Sequence, residues 1–206
     1  MLRSSSLFDA VALPYELLTR HPVWKRHCAR MAQELPPGAR LVLDLGCGPG
    51  ISTRQLPAGA VGGDRALSML RRARLQGPRL PLACLDAGAL PVRSGSLDAV
   101  TFHSVLYLLT DQAAVLREAA RALRSGGRAV LLEPQAGGRA TLLGLARALP
   151  SPRWAVTAAC WRMMSGLYGR PTAPSLWSAL ERAGLRVLRI EETLGGLGLL
   201  AVAEKP

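Results

Sequence analysis

Apolar positions along the chain follow two rhythms. Short continuous apolar runs at 41–45, 60–63, 80–85, 99–103 and 128–132 read as buried strands, and segments of helical period lie between several of them. At 66–75, Leu67, Leu70 and Ala73 fall on one side of a helix while Arg71, Arg72 and Arg74 fall elsewhere. Thr110 precedes a helical run through Leu123 that is expected to stop at Gly126-Gly127, and a helix over 175–183 is expected to close at Gly184. Strands alternating with helices predict an α/β fold, a parallel sheet covered on both faces. The stretches LRVLRIEET and LGLLAVAEK, joined by glycines, predict an antiparallel hairpin at one edge.

Length and charge narrow the partners. The 206 residues, 49% hydrophobic, suit one domain rather than two. The net charge is +12, carried almost wholly by arginine, since Lys25 and Lys205 are the only lysines. Such charge fits nucleic acid or an anionic membrane, but arginines spread along the chain with no dense run read first as a solvated surface. Cys28, Cys47, Cys84 and Cys160 form no CxxC pair, so neither a disulfide framework nor a metal site is expected, and a reducing cytoplasm fits. No stretch has the apolar length of a signal peptide or a membrane span, so a soluble protein is expected.

The first strand ends in LVLDLGCGPGIST, residues 41–53. A dinucleotide turn needs G-x-G-x-x-G, in which the third glycine lets the helix approach the strand. Gly46, Gly48 and Gly50 instead recur every second residue, and Ile51 stands where that third glycine belongs. What remains is an acid, Asp44, followed by a backbone that a ligand can approach closely. An acid beside bare backbone suits a cationic ligand better than a pyrophosphate.

Several motifs in order resemble the class I S-adenosylmethionine-dependent methyltransferases. Asp44 to Gly50 looks like the family's first motif, and Val61-Gly62-Gly63-Asp64 like its second strand with the terminal acid. Cys84-Leu85-Asp86-Ala87, Ala89-Leu90-Pro91-Val92 and Gly95-Ser96-Leu97-Asp98-Ala99-Val100 resemble the adenine loop and fourth strand, and Leu123-Arg124-Ser125-Gly126-Gly127-Arg128 the turn into the fifth. The resemblance spans about residues 40–133, with the terminal helix and hairpin agreeing in pattern. It implies a Rossmann-like, doubly wound, mostly parallel seven-stranded sheet with a C-terminal antiparallel hairpin, and S-adenosylmethionine as cofactor. Implied donor contacts are the 46–50 turn (Gly46, Cys47, Gly48, Gly50) for the methionyl end, Asp64 with Arg65 beside the ribose, and Asp86 with Ala87 at the adenine. Asp44 takes either the ligand's ammonium or the loop's own amides. Asp64 can also cap the helix that begins after it.

The reaction is direct displacement at a methyl carbon, which needs alignment and a dry site but no nucleophilic side chain. Where a base is needed, His103 at the end of the fourth strand is the first candidate, against the plainer reading that this position meets the donor through its backbone. Tyr107 and Tyr168 are weaker candidates, and His21 and His27 are expected on the surface of an N-terminal helix. The N-terminal helical segment over 1–38 carries an F-D…Y pattern (Phe8, Asp9, Tyr15) like that of the ubiquinone and menaquinone methyltransferase-like branch, where Tyr15 would touch the donor's carboxylate. Within the helical insert 134–173, Trp154, Ala158, Trp161, Ser165 and Tyr168 recur at helical spacing beside Met163, Met164 and several arginines. That segment is read as a lid over a greasy acceptor, as plain packing on the sheet, or, over 139–170, as a peripheral membrane contact. The expected partner is a small apolar molecule, a quinone, lipid or secondary-metabolite precursor. Nucleic acid ranks second, because His103-Ser104-Val105-Leu106 lacks the Asn-Pro-Pro-Tyr type of motif that cradles a flipped base. A donor-binding regulator without turnover and, further back, a dehydrogenase complete the alternatives.

Overall fold

The computed structural model describes residues 13, 15–17, 19–77, 80–149 and 151–206. Phe8 and Asp9 of the N-terminal pattern therefore lie outside the described residues. In chain order the elements are α1 (Pro22–Gln33), β1 (Val42–Leu45), β2 (Val61–Asp64), α2 (Leu67–Leu75), β3 (Leu82–Cys84), β4 (Leu97–His103), α3 (Gln112–Ala122), β5 (Leu123–Pro134), α4 (Gly138–Ala148), α5 (Pro152–Gly166), α6 (Ala173–Arg182), β6 (Arg186–Thr193) and β7 (Gly198–Glu204). The strands make one seven-stranded sheet in the order β3-β2-β1-β4-β5-β7-β6.

Strands β1 to β5 pair in parallel, while β7 runs antiparallel to both β5 and β6. The hairpin is present, with its second strand on the inside. GLLAVAE is almost wholly apolar and is buried on both faces, whereas RVLRIEET carries Arg186, Arg189, Glu191 and Glu192 and forms the edge, where charge discourages further pairing.

Each sheet face has its own helical cover. Val115, Leu116 and Ala119 of α3, with Leu176 and Leu180 of α6, pack on Leu45, Val100, Phe102 and Leu131. On the opposite face, Trp24, Cys28 and Met31 of α1 and Trp154, Ala158 and Trp161 of α5 pack over Val42, Ala99, Val130, Leu132 and Leu200. The β1–β2 crossover holds no α-helix, only the 3-10 turn Thr53–Gln55, and α1 lies against that turn. Where parallel strands are usually bridged by a helix, the N-terminal helix stands beside the glycine loop instead.

Several local expectations need correction. The cap of α3 is Asp111, whose Oδ1 accepts from the Ala114 N–H at 2.8 Å, rather than Thr110. Helix α3 ends at Ala122 and the chain enters β5 at once; Gly126 (φ +73°) and Gly127 then form an irregularity between the pairs Leu97–Leu123 and Ala99–Arg128. His21 is buried, its Nδ1 accepting from the Val23 N–H at 3.2 Å and its ring 5.3 Å from that of Trp154. His27 meets the Thr193 hydroxyl at 2.9 Å. His21 is thus buried and His27 half-buried, because α1 lies on the sheet beside α5.

Asp98, at the start of β4, ties three segments together. Its Oδ2 accepts from the N–H groups of Arg40 (2.8 Å) and Leu41 (2.9 Å), and its Oδ1 accepts from Arg124 Nε at 2.7 Å. Two backbone donors and a guanidinium hold its pKa at about 2. Because the folded value is depressed, its stabilisation is present above the ordinary carboxylate range and is lost as pH falls through about 2. Asp98→Asn is expected to cost about 1–2 kcal/mol at neutral pH by urea unfolding. The gap from wild type should close on acidification; a gap that persists unchanged near that pH would show that the charge is not what stabilises.

Candidate active site

The glycine loop leaves β1 with three left-handed residues in alternation: Gly46 at φ +65°, Gly48 at +52° and Gly50 at +76°. Only glycine holds such values without strain. A Cβ on Gly46 would sit 2.2 Å from Val105 Cγ2, and one on Gly50 2.9 Å from Leu80 Cδ1. A Cβ on Gly48 would sit 3.6 Å from the Tyr15 ring. The loop is thus pressed between the 104–106 turn, α2 and the N-terminal segment, with bare backbone toward the crevice.

Asp44 lies beneath the loop and exposes nothing. Its Oδ2 accepts from Ser52 Oγ and Thr53 Oγ1, both at 2.7 Å, and its Oδ1 from Thr101 Oγ1 at 2.8 Å. Of the loop's own groups it takes hydroxyls, from Ser52 and Thr53, in place of the expected amides, and with Thr101 it shapes the loop from below. Burial raises its pKa against those hydrogen bonds. Cys47 also turns inward, since a Cβ on Gly62 would lie 2.9 Å from its sulfur. Its backbone, not its thiol, faces the crevice.

Asp64, at the end of β2, is placed as expected. Its Oδ2 accepts from the Gly48 N–H and its Oδ1 from the Ala66 N–H, each at 2.8 Å. It joins the tip of the glycine loop to the start of α2, and it does so as a turn, since the N-cap of α2 is Ala66 without a side-chain bond. Asp86, after β3, is exposed, with Oδ1 accepting from the Gly88 N–H at 2.9 Å. Arg65 Nη1 stands 3.8 Å from Asp86 Oδ2, both side chains being about 60% exposed (62% and 60%), a surface pair of small energetic weight. Ala87 is half-buried against the core. These residues come from the C-terminal ends of adjacent parallel strands, where α/β sheets bind ligands.

The N-terminal segment closes over this crevice. Tyr15, Thr19 and Trp24 face Gly46, Cys47 and His103 across it. Tyr15 also packs on Ala66 and Met69, and burial with the nearby Asp64 charge pushes its phenol well above the usual range. Glu16 is buried and paired with Arg72 of α2 and, at 3.4 Å, with Arg20. The space left between these side chains is about 10 Å³.

His103 ends β4 in a buried setting. Its Nε2 is 3.0 Å from Cys28 Sγ, and the Trp24 ring stands edge-on to it at 4.9 Å. Desolvation lowers its pKa to about 3, so the ring is neutral at physiological pH and a weak base. Tyr107 is buried too, 6.3 Å from Tyr168 ring to ring, and burial raises its phenol, leaving it a hydrogen-bond donor rather than a base. Burial likewise pushes the Cys28 and Cys47 thiols up, which excludes ready thiolate chemistry.

Three contributors are not visible in the sequence. Ser104 holds φ +59°, unusual for a residue with a side chain, and its Oγ accepts from Trp161 Nε1 at 2.7 Å. Glu133, fully buried at the end of β5, accepts from the N–H groups of Val105 (3.2 Å), Leu106 (2.9 Å) and Tyr107 (3.3 Å), and burial raises its pKa to about 7. Arg162 of α5 donates to the Gln135 carbonyl (2.6 Å), the Leu197 carbonyl (3.2 Å) and the Thr141 hydroxyl, stapling the insert to the sheet. The nearest sequence signals were an acid ending an apolar strand and an arginine in an apolar helix, and neither says what it binds.

The fold and crevice define the class: a Rossmann-like α/β protein with a ligand site of bare glycine backbone and strand-terminal acids. Solved structures of this fold include a SAM-dependent methyltransferase of Thermotoga maritima (TM-score 0.71, 17% identity, 98% of this chain and 99% of that one). They also include the [4+2]-cyclase SpnF (TM-score 0.71, 17% identity, 98% and 94%), so fold alone does not carry an activity. Sequence does more. The family described as "Methyltransferase domain" matches residues 43–131. The chain is 34% identical over 219 residues to the demethylmenaquinone methyltransferase of Mycolicibacterium gilvum (strain PYR-GCK), covering 98% of itself and 94% of that relative. This chain belongs to the class I S-adenosylmethionine-dependent methyltransferases; it is an enzyme of that group, with S-adenosylmethionine as its methyl donor.

Proposed function

We infer that the chain methylates a small apolar acceptor of the quinol type, held beyond the glycine loop against the ends of β4 and β5. The observation that carries this reading is the wall there: Trp24, His103, Tyr107 and Trp161 are all buried, His103 is neutral, and Trp24 and Trp161 meet edge-on at 5.3 Å. Such a surface favours a flat, uncharged ring over a phosphate or a polyanion. The relatives named demethylmenaquinone methyltransferases support the same acceptor class.

Around the donor, the 46–50 backbone takes the methionyl end, the Asp64 carboxylate accepts from the ribose hydroxyls, and Asp86 with the Ala87 N–H meets the adenine edge. Tyr15 covers the methionyl end from above. The donor supplies an electrophilic methyl group on a sulfonium. The chain contributes alignment and exclusion of water: Glu133 fixes the 105–107 backbone beside the crevice, and the Ser104–Trp161 hydrogen bond fixes α5 against it. His103 orients rather than deprotonates.

The test is methyl transfer from labelled S-adenosylmethionine to a short-chain demethylmenaquinol, with RNA and a polar metabolite extract in parallel reactions. Label in the quinol, extractable into organic solvent, is the expected result. Label appearing only in RNA would move the assignment to a nucleic-acid methyltransferase, and donor binding without label in any fraction would make the chain a binding protein.

A further inference from the structure

The insert after β5 covers one face of the sheet with its inner side and leaves its own outer side uncovered. Helix α5 carries two apolar stripes. Trp154, Ala158, Trp161 and Ser165, spaced by four, three and four residues, are buried against the core. Val156, Cys160, Met163 and Leu167 repeat that spacing on the outer side, with Val156 58%, Met163 66% and Leu167 74% exposed. A helix that is apolar all round is normally surrounded by protein or lipid, yet half of this one faces out. Helix α4, packed against α5, adds Leu142 at 72% and Leu143 at 49%, and Leu149 follows it at 69%.

The charges around this surface have one sign. Between Glu133 and Glu181 there is no acidic residue, while Arg139, Arg147, Arg153, Arg162 and Arg170 fall in that interval. Arg153 is exposed at the start of α5; Arg147 is exposed too, with Nη1 donating to the Gly195 carbonyl at 3.1 Å at the flank of α4. Among the described residues no helix is long and apolar enough to cross a membrane. Leucines and methionine facing out, arginines at their flank, no carboxylate and insufficient length to span are the combination of an interfacial helical pair.

We propose that the outer face of α4 and α5 docks on an anionic lipid bilayer, with Leu142, Leu149, Val156, Met163 and Leu167 entering the headgroup boundary and Arg147 and Arg153 meeting lipid phosphates. A second copy of the chain is the weaker occupant, because a two-fold pairing of this face would set arginines against arginines with no acid between them. The docked face is the outer side of the helices whose inner side walls the crevice, through the Trp161–Ser104 bond and the Arg162 staple. The proposal does not depend on which acceptor is methylated.

The test is flotation of the full chain with phosphatidylcholine vesicles and with vesicles containing equal parts phosphatidylglycerol. Binding is expected to the anionic vesicles, weakened by salt, and to be poor on phosphatidylcholine alone. Leu142→Glu and Met163→Glu, on different helices and both exposed, should each weaken partitioning at least about tenfold. Both should keep wild-type affinity for S-adenosylmethionine, which separates a lost surface from a lost fold. Equal flotation of wild type and both variants, or no flotation of wild type, overturns the proposal. So does a dimer in light scattering that Met163→Glu converts to monomer while vesicles bind neither form.

Discussion

Asp64→Ala is expected to raise the dissociation constant for S-adenosylmethionine by roughly tenfold to a hundredfold and to lower the stability of the fold by about 1–2 kcal/mol. The carboxylate bridges the part-buried Gly48 and Ala66 N–H groups, and without it water must meet these donors, at a cost to the fold like that at Asp98. Ribose hydroxyls bound in the closed crevice have no such substitute. A donor left without its acceptor costs about 1–3 kcal/mol, which is the stated range. Asp64→Asn keeps one acceptor oxygen and should fall between. Titration calorimetry on the three proteins decides it, and an alanine variant that binds the donor as tightly as wild type would remove Asp64 from the site.

The parts of this arrangement that were legible in sequence are those in which a residue's own backbone or its strand neighbours decide. The run at 41–45 became β1 (Val42–Leu45) because a strand buried on both faces must be apolar throughout. Gly46, Gly48 and Gly50 marked a stretch of backbone open to close approach, and all three hold positive φ. Asp64 could be placed by its distance along the chain from Asp44. What was not legible depends on segments far apart. The hydroxyls that occupy Asp44 come from Ser52, Thr53 and Thr101. His103 loses its basicity to desolvation beneath α1, whose Trp24 and Cys28 lie against its ring, the latter 75 positions away in the chain. No local pattern states that an N-terminal helix will lie there, and a histidine at a strand end looks the same in sequence whether it titrates near neutrality or at about 3. Glu133 is the reverse case: it ends a strand as a ligand-facing acid would, yet it is spent on three backbone N–H groups.

The largest loss of stability should come from Asp44→Ala, at about 3–5 kcal/mol by chemical denaturation. The side chain is fully buried, and its removal strands three hydroxyls, each of which loses about 1–1.5 kcal/mol of hydrogen bonding or incurs a desolvation penalty. It also leaves a small cavity under the loop. Asn at the same position provides the discriminating control. Its amide oxygen, placed where Oδ2 lies, still accepts from Ser52 and Thr53, and the Thr101 hydroxyl can rotate to accept from the amide NH₂. Each hydroxyl then keeps a partner at residue 44 while one amide N–H goes unpaired, so Asp44→Asn should cost less than Asp44→Ala. Donor affinity should separate the two roles of a buried acid here: if Asp44 only shapes the loop, Asn preserves binding along with stability. If the Asn variant folds as wild type but loses the donor, the negative charge itself acts on the sulfonium or ammonium through the loop, and Asp44 belongs to the binding site after all.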